Sequence, residues 1–156
     1  MTRPPRWAAA AQAPSAERPH QHSSTAKLAR ASVSGAVSLA LAQRIDIRLT
    51  GRAPSDTPVR AVEALTGRPV QGSLARAAIG YGVQSVLAPI SALAASRTGA
   101  DSGRRLGAAL LAPVAFATLV SPALGASARP IRWTASDWVR ELTLKGSLAL
   151  AVVATL

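Results

Sequence analysis

The sequence has no cysteine among its 156 residues, and its only aromatic residues are three Trp, one Tyr and one Phe. The absence of cysteine excludes disulfides, thiolate metal sites and cysteine nucleophiles. With so few large side chains, a water-soluble core would depend on alanine, which buries little area at a gain of about 25 cal/mol per Å². The same small residues suit the close packing of helices in lipid.

Acidic residues are also scarce, since 7 Asp and Glu stand against 18 Lys and Arg, for a formal net charge of +11. Such a basic balance occurs in proteins that bind nucleic acid or an anionic membrane surface, and in loops beside membrane spans. Here the basic residues are spread through every predicted loop and do not alternate with aromatic ones. We therefore expect no nucleic-acid partner, and a soluble basic nucleic-acid-binding helical protein remains an alternative.

The motifs of common catalytic and cofactor sites are missing as well. The sequence contains no phosphate-binding P-loop, no dinucleotide-binding glycine motif followed by an acid and no G-x-S-x-G turn. His20 and His22 are close in sequence, but no cysteine or neighbouring pair of carboxylates completes a metal site. We therefore predict no catalytic residue, no cofactor and no metal.

Residues 1–26 are rich in Pro, Ala, Gln and Ser and have no sustained periodicity, which predicts a disordered N-terminal tail. The apolar stretch near the start is too short for a signal peptide. Up to Arg44 the only acidic residue is Glu17, so import into an organelle by a transit peptide is the alternative to a bacterial location.

Four apolar segments follow the tail, and two of them are long enough to cross a bilayer. Residues 77–96 and 106–128 are uncharged over 20 and 23 positions. A helix of 20 residues is about 30 Å long, which matches the hydrocarbon core. The uncharged part of the first segment, residues 31–43, is shorter and spans only if the basic residues beside it reach the interface. A soluble bundle is the alternative, but residues 106–128 have no charge on any face.

Both central segments contain a proline, Pro89 and Pro113. Each proline leaves the carbonyl four residues earlier, at Ser85 and Ala109, without its helical donor. Nearby hydroxyls or Gln84 are candidates to satisfy these carbonyls. If the repeated proline is a genuine motif, both central helices are kinked; the simpler interpretation is an ordinary proline tolerated in each span.

A polar stretch, residues 50–69, lies between the first two apolar segments. Thr57 is the predicted N-cap, Pro58 suits the first helical position, and Gly67 suits the position just past the end. These signals predict a helix over residues 58–66, with an apolar strip formed by Val59, Val62 and Leu65. The helix is too short to span, and its mixed polarity suits the membrane surface.

Three charged residues belong to this surface helix: Asp56 beside its start, and Arg60 and Glu63 on its polar side. Arg60 and Glu63 are three positions apart, so they are expected to pair weakly. The simpler interpretation is a connector at the headgroup level. The alternative is a docking site for a partner or substrate centred on Asp56 and Arg60.

The last segment is entered through "SDWVRELTLKG", where Ser136 is a plausible N-cap and Asp137 lies in the first turn. Glu141 and Lys145 are four apart in the favourable order. Lys145 lies inside the apolar run, and a charge there needs a partner or a route to water. An interfacial Glu141–Lys145 pair is the main interpretation, and a proton or substrate relay is the alternative.

Three features carry a resemblance: the "GRAPSDTPVRAVEALTGR" loop after a first span, proline in a later span, and the "TASDWVREL" entry to the final helix. In these the chain resembles a loose group of small uncharacterised four-helix bacterial membrane proteins, above all actinobacterial ones. The resemblance implies a four-helix membrane bundle and brings no activity with it. Members often have a His and a Tyr-Gly in the last helix, whereas this chain has Lys145-Gly146, so a shared site is not implied.

Together these patterns predict an all-α, multi-pass membrane bundle in the bacterial inner membrane. The predicted helical domain covers residues 27–156. Its predicted spans cover about residues 28–47, 77–96, 106–128 and 139–156. We expect a non-enzymatic protein with a structural or partner-binding role, whose partners are the lipid bilayer and a second copy or another membrane protein. A small oligomeric transporter or channel subunit is the alternative, and it requires polar residues that face a common interior.

Overall fold

The computed structural model describes residues 18–99 and 101–156, with side chains from residue 24 onward. All regular structure in this part of the chain is helical, which confirms the all-α prediction. The α-helices in chain order are α1, Arg18–Thr50; α2, Thr57–Thr66; α3, Ser73–Ser96; α4, Ser102–Ala115; α5, Ser121–Ala123; and α6, Ala135–Thr155. A π-helical turn, Phe116–Val120, joins α4 to α5, and a 3-10 turn, Pro130–Arg132, precedes α6.

The prediction of a disordered tail over residues 1–26 is wrong for its last part, because α1 already begins at Arg18. Pro19 lies in its first turn, where the missing N–H has no helical partner to lose. Because α1 packs against the bundle at later residues, it extends toward the N-terminus through a polar stretch whose composition suggested disorder. Residues 1–17, the rest of the predicted tail, lie outside the described residues, as do the side chains of His20 and His22.

Two helical stretches are long and apolar enough to cross a membrane: α3, with 24 residues, and the continuous stretch Ser102–Ala123, with 22. The other long helices are α1, with 33 residues, and α6, with 21. At 1.5 Å per residue α1 measures about 50 Å, much longer than its apolar part. The boundaries of the four predicted segments thus shift, while the segments themselves appear in the predicted order.

Three helices pack closely around Gly35 of α1. A Cβ added at Gly35 would lie 2.7 Å from Cγ2 of Val152 on α6 and 3.4 Å from Cβ of Ala88 on α3. Near it, the Ser38 hydroxyl donates to the backbone carbonyl of Ser147 at 3.0 Å. Glycine is therefore required here for three helices to meet. Small residues at such contacts are typical of helix packing in membranes.

The bundle core is built mainly from small side chains, with a few larger ones between them. Leu39, Leu148 and Val152 are almost completely buried. The alanines of the same cluster are Ala31, Ala88, Ala92, Ala95, Ala109 and Ala149. This confirms that alanine forms the helix contacts, as the composition suggested.

The outer surface has the opposite composition, because large apolar side chains point away from the core. On α1 such a stripe recurs every fourth residue: Val33, Val37, Leu41, Ile45 and Leu49 are each more than half exposed. Comparable exposed residues on the other long helices are Val86, Ile90 and Leu93 on α3, Leu111 on α4, and Val139, Leu142 and Leu150 on α6. Each long helix thus presents bulky apolar residues outward, although others, such as Leu39 and Leu148, lie in the core.

Both predicted prolines lie inside helices, Pro89 in α3 and Pro113 in α4. α3 continues through Pro89 as an unbroken helix. Three residues after Pro113 the helix widens into the π turn, where the Ser121 N–H donates to the Phe116 carbonyl. Single π turns inside α-helices occur frequently at functional sites.

Candidate binding cavity

A cavity of about 670 Å³ lies between the helices at the end of the bundle that carries α2. We call this end of the bundle the α2 end; it is formed by α2 and by the segment that connects α5 to α6. Its volume lies within the range of roughly 300–1,000 Å³ found for small-molecule sites. The wall comes from α1, α2, α3, the π turn and α6, and its polar members include Arg44, Asp56, Arg76, Tyr81, Gln84, Ser121, Arg132, Asp137, Arg140, Glu141 and Lys145.

The rim of the cavity on one side is the start of α2. Asp56 is the N-cap residue, its side chain makes no capping hydrogen bond, and Thr57 is already helical. The predicted N-cap at Thr57 is therefore wrong by one residue, because Pro58 is accommodated equally well in the second position of the first turn. The predicted end is confirmed, since Gly67 is left-handed with φ 66° and its N–H donates to the Glu63 carbonyl.

The apolar face of α2 is also narrower than predicted. Pro58, Val59 and Ala61 are buried, whereas Leu65, which we assigned to the apolar strip, is 71% exposed. Only the first half of this helix therefore lies against the bundle.

Arg76 of α3 holds α2 in position. Its guanidinium lies 3.2 Å from the Asp56 carboxylate and 3.3 Å from that of Glu63. It also donates to the Val70 carbonyl, while the Val70 N–H donates to Glu63 at 2.9 Å. The predicted Arg60–Glu63 pair is wrong, because Glu63 turns toward α3 and Arg60 is exposed. Arg76 is 13 positions from Glu63 and 20 positions from Asp56, and no short-range spacing rule predicts an ion pair over such separations.

A second ion pair missed from the sequence joins α1 to α6 beside the cavity. Nε and Nη2 of Arg140 each lie 2.6 Å from Oδ2 of Asp46. The side chains are 25% and 15% exposed, so the pair is largely shielded from water. The one available signal was Asp46 itself, an acidic residue at the end of an otherwise apolar and basic helix.

The predicted pair on α6 is present, with Nζ of Lys145 3.7 Å from Oε2 of Glu141. Lys145 is only 7% exposed and lines the cavity, as does Glu141. The distance is that of an ion pair and exceeds the range of a hydrogen bond. Two opposite charges thus face the cavity without a direct hydrogen bond between them.

Several uncharged polar groups face the same space. Gln84 and Ser121 line the cavity, and Ser121 is completely buried on the α5 side. Among the described residues, three buried polar atoms of the cavity wall have no hydrogen-bond partner: Ser121 Oγ, Ser127 Oγ and Glu141 Oε2. Buried polar atoms are normally hydrogen-bonded, so these three identify positions where a bound molecule would gain contacts.

The entry to α6 is fixed by a capping box. Thr134 Oγ1 accepts from the Asp137 N–H at 3.2 Å, and Asp137 Oδ2 accepts from the Thr134 N–H at 2.9 Å. The predicted N-cap at Ser136 is therefore wrong, because the reciprocal Thr134–Asp137 pair satisfies two donors at once. The T-x-x-D spacing was visible in the sequence and would have identified it.

The Asp137 carboxylate is stabilised in its charged form at this position. The hydrogen bond from the Thr134 hydroxyl, and then that from the Thr134 N–H, lower the pKa of Asp137, and the charges of Arg52 and Arg140 act in the same direction. The guanidinium of Arg52 lies 3.7 Å away. Asp137 therefore belongs to the charged rim of the cavity.

The two tryptophans before and within α6 contact each other. The rings of Trp133 and Trp138 are edge-on with centroids 5.0 Å apart, and Trp133 Nε1 donates to the Ala128 carbonyl. Trp133 also lines the cavity. Tryptophan, with an apolar body and a polar N–H, suits the region between lipid and water.

The fold is thus an all-α bundle with two stretches long and apolar enough to cross a membrane and a charge-lined cavity at one end. No family model, no curated protein and no solved structure matches the chain. In the part of the chain that the structure describes, no group of three or more His, Asp and Glu residues is arranged to hold a metal ion.

Proposed function

We propose that this protein is an integral membrane protein whose four long helices span the bilayer, with α2 at its surface. The outward-facing apolar stripes carry the proposal, above all that of α1 from Val33 to Leu49. A large apolar side chain left in water forgoes about 1.5–3 kcal/mol of burial, so a soluble bundle would turn such residues inward. In lipid the same orientation carries no such penalty.

The position of the charges supports this proposal. The middle of α1, between Arg30 and Arg44, is uncharged, and Lys145 faces the cavity beside Glu141. Ionisable residues within membrane segments usually face the protein interior and are paired, as here. By its resemblance to small bacterial proteins, we propose the bacterial inner membrane as the location.

We further propose that the role of the protein is binding, without a catalysed reaction. The cavity offers charged and hydroxyl groups that can hold a polar molecule at one face of the membrane. Glu141 and Lys145 line the cavity as an ion pair, and the Asp46–Arg140 pair lies beside it, so each of these charged groups already has a charged partner. Binding of a small molecule, or of a membrane partner through it, fits these groups.

A transporter subunit is the second candidate, because polar residues of two helices share one interior. Gln84 of α3 and Lys145 of α6 line the same cavity, together with Glu141. Beyond the cavity, the close contact of Gly35 with Val152 and Ala88 closes the bundle. Passage would therefore need the helices to separate, and the π turn after Pro113 interrupts the regular α-helical hydrogen bonding of that part of the wall.

Two experiments test membrane insertion. In alkaline carbonate, the full-length protein is expected to stay in the membrane fraction, and release into the soluble fraction would favour the soluble alternative.

For topology, the cysteine-free chain allows single cysteines at Ser55 and Ser102, near opposite ends of the bundle. An impermeant thiol reagent should label one variant from outside and the other only after lysis. Labelling of both from the same side contradicts the proposed arrangement.

A further inference from the structure

The deep part of the cavity contains one positive and one negative charge on the same helix. The Lys145 side chain is 9% exposed and that of Glu141 34%, so the ammonium is held almost entirely within the protein. The two side chains are one helical turn apart and face the cavity together. The two charges of this pair cancel, so the pair by itself favours neither a simple anion nor a simple cation.

Unsatisfied polar atoms lie in the same wall. Ser121 is 0% exposed and its Oγ has no hydrogen-bond partner among the described residues, and the same holds for the buried Oε2 of Glu141. A hydroxyl can donate or accept, whereas the Glu141 oxygen can only accept while it is ionised. The wall thus offers a carboxylate acceptor, a cationic donor and a hydroxyl that adapts to either.

We propose that the cavity binds a small zwitterion, a molecule that carries an ammonium group and a carboxylate or phosphate group. This inference rests on the proposed binding function and names its ligand class. The ligand's ammonium group would contact Glu141 Oε2, its anionic group would contact Lys145 Nζ, and Ser121 Oγ would bind whichever group lies beside it. A ligand with only one of the charges would bring it close to a like charge in the wall, which is unfavourable away from bulk water.

The remaining wall limits the shape of this ligand. The same cavity is lined by Leu87, Phe116 and Leu144, which can cover an apolar substituent. The volume of about 670 Å³ exceeds what the charged groups of a zwitterion need and leaves room for such a substituent. The cavity is at the α2 end, which the proposed membrane position sets at the level of the lipid headgroups. A free amino acid and the headgroup of an ethanolamine phospholipid therefore share the required chemistry.

The test measures thermal unfolding of the full-length protein in mild detergent with a set of matched ligands. Leucine supplies both charges, whereas isovalerate and isoamylamine each supply one charge on a similar apolar group. A ligand that binds only the folded state raises Tm with increasing concentration. We expect leucine or O-phosphoethanolamine to raise Tm, and the singly charged compounds to leave it nearly unchanged. An equal shift with either singly charged compound, or no shift with any zwitterion, overturns the proposal.

Two variants extend the test. Glu141→Gln should shift the preference toward isovalerate, and Lys145→Gln should shift it toward isoamylamine, because each leaves one charge in the wall. The matched control is Arg60→Gln, an exposed charge outside the cavity wall, which should keep the zwitterion preference. If a cavity variant fails to fold, the ligand selectivity of the unaltered protein still decides the matter. Retention of the zwitterion preference in both folded cavity variants contradicts the assignment of these residues.

The source of the zwitterion is distinguished by two further arms. Phosphatidylethanolamine in nanodiscs is compared with phosphatidylglycerol, and leucine with O-phosphoethanolamine. Stabilisation by phosphatidylethanolamine and O-phosphoethanolamine but not by leucine indicates a lipid headgroup, and the opposite pattern indicates a free amino acid. Carbonate extraction reports separately on membrane insertion, so loss of zwitterion selectivity in an inserted protein rejects only this inference.

Discussion

The guanidinium of Arg140 on α6 binds the carboxylate of Asp46 on α1 with two nitrogens at 2.6 Å from the same oxygen. These residues are 94 positions apart in the chain. Toward the opposite end of the same helices, Gly35 meets Val152. The two contacts fix α1 and α6 as antiparallel neighbours and hold one wall of the cavity, which Arg140 lines.

Removal of this ion pair should destabilise the bundle. Asp46→Asn leaves the Arg140 guanidinium partly buried without its charged partner, at an expected cost of about 1.5–3 kcal/mol. Denaturant unfolding in detergent measures the change. Asp46→Asn combined with Arg140→Met should recover part of the loss, because no unpaired charge remains. Equal stability of Asp46→Asn and the unaltered protein would show that the contact contributes nothing.

A methyl group at Gly35 should separate three helices. Gly35→Ala forces its Cβ against Val152 Cγ2, which should cost about 1–3 kcal/mol in the free energy of unfolding. Gly146→Ala is the matched control, because nothing lies within 4 Å of its added Cβ, and it should stabilise α6 by roughly 0.4–1 kcal/mol. Adding Val152→Ala to Gly35→Ala should restore part of the stability by removing the clashing methyl. A cost at Gly146 as large as that at Gly35 would reject the role of this contact.

Arg76 should control the mobility of α2. Arg76→Gln removes the ion pairs to Asp56 and Glu63, so amide hydrogen exchange across Thr57–Thr66 should become faster. Arg60→Gln on the exposed face of α2 is the control and should leave exchange unchanged. Only a limited loss of global stability is expected, about 1 kcal/mol or less per exposed pair. Unchanged exchange in Arg76→Gln would mean that burial of Val59 and Ala61 alone holds α2.

The capping box of α6 should make stability depend on acid pH. The pKa of Asp137 is lowered in the folded state, so its contribution is present above the unfolded pKa and disappears as pH falls through the folded pKa. Asp137→Asn should therefore lower Tm at neutral pH, and the difference from the unaltered protein should shrink as the pH falls below about 4. Ser136→Ala is the control and should have little effect. A difference that stays constant from pH 7 to pH 3 would show that the charge of Asp137 plays no part.

Local signals predicted the helices well and their first residues less well. Gly67 was identified as the end of α2 because a left-handed residue after a helix strongly favours glycine. The starts of α2 and α6 were wrong by one or two residues, because Asp56, Thr57, Thr134 and Ser136 are all acceptable N-caps. The choice between neighbouring caps depends on which backbone donors are satisfied in the folded chain. The start of α1 was missed because composition alone does not show how far a packed helix extends.

The ion pairs show the same difference between what local signals predict and what tertiary packing decides. Glu141–Lys145 was predictable, because residues four apart on a helix face the same side whatever the tertiary fold. The Arg60–Glu63 pair satisfied a similar rule, but its prediction was wrong. The Glu63 carboxylate instead accepts hydrogen bonds from Arg76 of α3 and from the Val70 N–H. A short-range rule indicates which partners are within reach, and packing of the neighbouring helix decides between them.

The sequence by itself determined the all-helical class, the order of the apolar segments, and the end of α2, since each depends on hydrophobic runs or on cap chemistry within a few residues. Tertiary structure alone decided that Asp46 meets Arg140, that Gly35 lies against α3 and α6, and that Gln84, Ser121 and Lys145 share a cavity. The physical reason is that these relationships join residues of different helices. Their distances depend on how whole helices pack, and no local spacing in the chain records that.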